Sequence, residues 1–188
     1  LNYMKDFFDD QVDLNLRKSE NIIFGKSKDK STVYHLADVL NNHKIKFNNI
    51  SEDLVINGNK YSKDNSYIIP MNQAKRTLIK GMFNTQTKFQ DSLFYDVSAW
   101  TFPLAFNINY DYTDGLSQTN ISKLIDNQVD NLTKPNGFVD AKSEYAYIFE
   151  PHEYYTQAAI YKILDHGLRV KTATRKFSIN GKKYDYGT

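Results

Sequence analysis

With 188 residues, of which 40% are hydrophobic and 14% aromatic, the chain can bury a sizeable core, which excludes a disordered tract. Its net charge of +2, from 24 basic and 22 acidic residues, is spread over short mixed runs such as "GKSKDKS" and "TRKFSINGKK", so no basic stripe argues for nucleic acid as a partner. The absence of cysteine excludes disulfides, thiolate metal sites and cysteine nucleophiles, and no apolar run reaches the roughly 18 residues that a bilayer span requires.

The N-terminal "LNYMKDFFDD" is not a signal peptide, because charge interrupts any apolar core. Leucine in the first position, and an end at "DYGT" where a strand could begin, lead us to expect a piece of a longer polypeptide. The first element expected is a strand, "NIIF" at 21–24. Leu36, Ala37 and Leu40 follow as a stripe at helical spacing, and "KIKF" at 44–47 alternates with the period of a strand. "LVINGNKY" at 54–61 then places Asn-Gly between β-formers, the signature of a tight hairpin, because both residues tolerate positive φ. "SYIIP" at 66–70 is one more strand.

A stretch of different character occupies 71–144. "NQAKRTLIKGMF" (72–83) predicts a helix capped by Asn72, with Ala74, Leu78 and Met82 on one face. "DVSAWTFPLAF" (96–106) predicts a short helix capped by Asp96 and ended or kinked by Pro103, which lacks an amide donor and restricts Phe102. "DYTDGLSQTN" reads as loop, "ISKLIDNQVDNL" (121–132) as an amphipathic helix, and "TKPNGF" as a turn.

Beyond it the first pattern returns. Sliding Ile56 onto Ile179, a shift of 123 residues, lays 40–61 over 163–184 without a gap. His43/His166, Ile56/Ile179, Asn57/Asn180, Gly58/Gly181, Lys60/Lys183 and Tyr61/Tyr184 are then identical. The helical stripe maps onto Ala159, Ile160 and Ile163, "LRVK" (168–171) alternates as "KIKF" does, and, after a two-residue gap, "NIIF" maps onto the end of "YAYIF" (145–149). The chain therefore reads as one α/β domain over 1–188, with a mixed sheet built from two related strand–helix–strand–hairpin units, at about 20–70 and 145–188, joined by a helical connector.

Few residues announce chemistry. His35 and Asp38 stand three apart on an expected helix, with His152 far along the chain, a conceivable zinc set set against the plainer reading of a solvated helix face. His43 and His166 fall at equivalent helix C-termini, where an imidazole complements the dipole. No Gly-x-Ser-x-Gly turn or phosphate-binding glycine loop occurs, and the sequons at Asn49, Asn120 and Asn131 carry little information in so asparagine-rich a chain. Glu150 follows directly on "YAYIF", where α/β proteins often place functional side chains. Trp100, the sole tryptophan, reads first as a core anchor; the functional alternative is that Tyr95, Asp96 and Trp100 line an interface or ligand contact.

The block "DSLFYDVSAWTFPLAF" (91–106), after a strand ending in proline and a helix with a glutamine near its start, resembles a region downstream of the catalytic domain in bacterial zinc carboxypeptidase-like proteins. "YAYIF", "DHGLRV" and the Phe177, Ile179, Gly181, Lys183, Tyr184, Gly187, Thr188 pattern resemble the segment that follows there, so the likeness runs from about residue 20 to the end. It implies a secreted or periplasmic metallopeptidase-like parent, often with a glutamine-amidotransferase-like domain, and other domains of the same polypeptide as partners. The family's His-x-x-Glu zinc motif does not occur in this chain, so no catalytic residue carries over and zinc is expected only in the parent's catalytic domain. The resulting expectation is a non-catalytic accessory domain without a cofactor of its own. An independent module binding a peptide or carbohydrate is the alternative.

Overall fold

A computed structural model describes residues 2–12, 20–26, 28–85, 101–114, 116, 118–139 and 141–188. In chain order the elements are α1 (Asn2–Val12), β1 (Asn21–Gly25), α2 (Lys30–Asn42), β2 (Asn48–Ile50), β3 (Leu54–Ile56), β4 (Asn59–Tyr61), β5 (Ser66–Pro70), α3 (Arg76–Phe83), α4 (Phe102–Ala105), β6 (Asn109–Tyr112), α5 (Gln118–Leu124), β7 (Ile125–Gln128), α6 (Thr156–Asp165), β8 (Phe177–Ile179) and β9 (Lys182–Tyr184). Helices and antiparallel sheets thus make an α/β protein, and among the described residues no helix is long and apolar enough to cross a membrane.

Five strands form the main sheet in the order β6-β1-β5-β2-β7. The expected mixture of parallel and antiparallel pairs is not what forms, because every pairing in it is antiparallel. The reason lies in the path of the chain. The crossover β1–α2–β2 leaves its two strands running the same way but not adjacent. After the β3–β4 hairpin, β5 enters the slot between them from the opposite direction, with Ile22 opposite Ile69 and Asn48 opposite Ile68.

Both faces of this sheet are covered, which is why β1 reads as an uninterrupted apolar run instead of an alternation. On one face Ile22, Phe24 and Ile69 pack with Val33, Leu36, Ala37 and Leu40 of α2 and with Ile79, Met82 and Phe83 of α3. On the other, Ile23 and Ile68 meet Tyr61 of the hairpin, Ile50 and Leu124. Asp29 caps α2, its carboxylate accepting from Thr32 N at 3.0 Å. A cap of this kind stabilises by about 1 kcal/mol. At Gly25 a side chain has no room, since a Cβ there would lie 2.1 Å from Ser66 Oγ.

Helix boundaries in the connector shift from the sequence reading, each for a local reason. Asn72 does not cap α3, which begins at Arg76 after Lys75 with no side-chain cap. Gln73 instead bonds the Lys46 backbone at both N and O (2.9 Å each) and Pro70 O (2.7 Å), so the chain turns there before the helix starts. The buried face of α3 is Ile79, Met82 and Phe83, with Leu78 outward. Pro103 opens α4 instead of ending a helix, because a first-turn residue needs no amide donor. The helix expected over 121–132 ends at Leu124, since pairing with β2 takes up the next residues as β7, with Ile125 opposite Ile50. Part of "DYTDGLSQTN" is likewise strand, in β6.

The C-terminal repeat is built differently. Its hairpin β8–β9 and helix α6 form, and Asn57, Gly58, Asn180 and Gly181 all take the positive φ that their turns require. The strand expected at "YAYIF" does not form, and among the described residues no strand lies beside it to satisfy its amides and carbonyls; neither "KIKF" nor "LRVK" becomes strand, since β2 starts only at Asn48. Thr156 is the one buried residue of α6, whereas α2 buries five.

Candidate functional site

Glu150 sits where the C-terminal segment meets the turn between β1 and α2. Its Oε2 lies 3.1 Å from Lys182 Nζ on β9, and its carbonyl accepts from Thr156 Oγ1 at 3.2 Å, which ties it to the start of α6. The hydrogen bond from Lys182, aided by that residue's charge, holds the carboxyl below the ordinary glutamate range. Two open depressions share this residue. One, of about 550 Å³, has Lys26, Lys28, His152 and Tyr186 on its walls, and the other, of about 700 Å³, has Asn65, Phe138, Phe149 and Tyr155. In the second, burial, with help from the Asp29 charge, pushes the Glu153 carboxyl up. A carboxylate already neutralised by a lysine makes a poor general base near neutrality, so Glu150 is better suited to holding the segment or a ligand than to proton transfer.

The residues weighed as a zinc set point elsewhere. His35 Nε2 bonds Tyr155 Oη at 2.8 Å within a cluster where its ring lies 4.3 Å from that of Tyr154 and Lys134 Nζ stands 4.8 Å over Tyr155. Asp38 accepts from Asn42, and His152 faces Glu153 at 3.7 Å. Among the described residues no group of three or more histidine, aspartate or glutamate side chains could hold a metal ion. His35 is therefore a bridge from α2 to the C-terminal segment. His43 and His166 cap α2 and α6 at their C-termini, with His166 Nδ1 2.7 Å from Lys162 O.

Sequence reasoning missed Asp111, which lay in a stretch read as loop. From β6 this buried carboxylate accepts from Asn57 Nδ2 (2.8 Å), Asn59 Nδ2 (2.9 Å) and Tyr61 Oη (2.6 Å), pinning the first hairpin to the sheet. Burial first, then the bond to Asp111 and its charge, drive the Tyr61 phenol far up. Alternate residues of one hairpin converging on one carboxylate is a tertiary event with no signal in local spacing. In the second hairpin Lys182 stands where Asn59 stands in the first, and its partner is Glu150.

Tyr95, Asp96 and Trp100 lie outside the described residues. Comparison with protein-family models, with curated proteins and with solved structures finds no match. The geometry of the chain therefore carries the functional argument. Large apolar side chains toward the C-terminus, Phe138, Tyr145, Tyr147, Tyr161, Leu164 and Leu168, are all exposed. Side chains of this kind, where they gather on one surface, favour contact with a partner.

Proposed function

We propose that the chain is a non-catalytic accessory α/β domain of a zinc carboxypeptidase-like protein, formed from two related units, whose second unit packs against a neighbouring domain of the same secreted or periplasmic polypeptide. One observation carries the interaction reading. Leu168, which the repeat equates with the buried Ile45, is exposed, and Ile163, Val170 and Tyr184, which it equates with the buried Leu40, Phe47 and Tyr61, are only half-buried. Burying such side chains contributes about 1.5–3 kcal/mol each, a strong drive toward a partner surface. The carboxypeptidase context rests on the resemblance of 91–106 and the segments around it.

Zinc analysis and a peptidase assay on the chain, with inspection of its open reading frame, test this reading. We expect no stoichiometric zinc, no cleavage, and a His-x-x-Glu domain encoded ahead of Leu1. Zinc with cleavage, or a reading frame without that domain, overturns the accessory role. The depression walled by Phe138, Phe149 and Tyr155 favours a second reading, a peptide- or carbohydrate-binding module. A peptide and glycan screen decides it: saturable binding lost in Tyr155→Ala supports the module, and no binding eliminates it.

A further inference from the structure

In the first unit β1 is covered along its β5 edge, Ile22 facing Ile69, Ile23 facing Ile68 and Phe24 facing Tyr67, and the three β1 side chains are 0% exposed. The repeat equates these three with Tyr147, Ile148 and Phe149, which are 57%, 44% and 38% exposed. Among the described residues, their backbone amides and carbonyls form no hydrogen bond with another backbone group. Three apolar side chains in sequence with free backbone groups are what a strand looks like before its neighbour arrives.

We propose that segment 145–149 receives an antiparallel strand from the adjoining domain, an extended apolar segment of the chemistry of β5, with an aromatic residue followed by two β-branched aliphatics. This rests on the reading that the second unit meets a neighbouring domain and adds the mode of contact. Main-chain hydrogen bonds supply the attachment, and alternate side chains set the register. The first unit supplies the template: there the hairpin ends at Tyr61 and β5 begins at Ser66. By the same spacing, a strand joined directly to Thr188 would enter in the register that β5 takes after Tyr61. Once seated, it would cover Ile148 as β5 covers Ile23. The hairpin is already tethered at the far end of the segment through Lys182 and Glu150.

The experiment uses the whole chain extended directly after Thr188 by Ser-Tyr-Ile-Ile-Pro-Met, the sequence of 66–71. Amide hydrogen exchange is compared with the unextended chain and with a chain carrying a scrambled extension. We expect exchange at Tyr147 and Phe149, the counterparts of Ile22 and Phe24 on the edge that β5 occupies, to slow by roughly tenfold or more in the first alone. Phe149→Pro, which removes an amide on that edge, should cancel the slowing at Tyr147 while exchange in β1 and β5 stays unchanged, showing an intact fold. Equal exchange in the extended and unextended chains, equal slowing by the scrambled sequence, or slowing that grows with protein concentration (copies pairing with each other) overturns strand addition. Protection of Tyr161 and Leu164 in the full polypeptide without protection of 147–149 would sink this proposal and leave the interaction reading standing.

Discussion

The two Asn-Gly hairpins share a turn and a strand register and differ in what they pack against. Asn57 and Asn180 have φ of 49° and 50°, and Gly58 and Gly181 have 84° and 79°. Yet the first hairpin closes one face of a sheet, with Tyr61 buried and bonded to Asp111, while in the second Tyr184 stacks on Phe177 at 5.1 Å and the strands remain largely exposed. Turn geometry is set by the residues in the turn. Docking is set by what the rest of the chain brings to it.

Substitutions at matched positions sharpen this contrast. The largest difference is expected in the helices: Leu40→Ala, at a fully buried site, should cost about 3 kcal/mol in urea unfolding, and Ile163→Ala under about 1 kcal/mol. Equal losses would mean that α6 is packed as tightly as α2. Next comes Asp111→Ala, which strands three donors at a buried site and should cost about 2–3 kcal/mol; Glu150→Ala, breaking a partly exposed pair, should stay within about 0.5 kcal/mol. Gly58→Ala and Gly181→Ala should instead agree, each destabilising its hairpin by about 1 kcal/mol, because the strain is local to positive φ. Amide exchange on the flanking strands reads this directly, and a twofold or larger disagreement in the local free energies would show that tertiary context enters the turn.

The smallest effect is the pH response of Glu150. Its folded carboxyl titrates below the ordinary value of 4.5, so the contribution of its link to Lys182 is complete above that value and fades as pH falls through the lowered one. The raised Lys182 gives the mirror image, complete below its ordinary value and lost as pH rises through the raised one. Glu150→Gln should flatten both limbs by a small amount, measured as thermal midpoint against pH; a pH profile identical to that of the parent chain would show that the link has no weight.

Much of the first half was legible because local and tertiary demands agree there. "NIIF", the Leu36–Leu40 stripe, the Asn-Gly turn and "SYIIP" all become the expected elements. Where pairing decides, local pattern misleads. Residues 125–128 have helical periodicity but lie beside β2, and "YAYIF" has strand composition but no neighbouring strand among the described residues. The pairing sense of the sheet was likewise hidden, because nothing in 66–70 says that it inserts between β1 and β2. Of the candidate site, Glu150 was singled out for following a strand that does not form, and Asp111 and the His35–Tyr155 bridge depend on contacts between distant segments.

The most direct test of the account is hydroxyl-radical footprinting of Tyr147, Tyr161 and Leu168, performed on the chain alone and on the whole polypeptide encoded by its reading frame. The account predicts that all three react readily in the chain alone, far faster than the buried Leu36 and Leu40, and become several-fold protected in the whole polypeptide. Equal reactivity of the three in both samples would contradict it, and would leave the C-terminal repeat as a surface with no partner in its own protein.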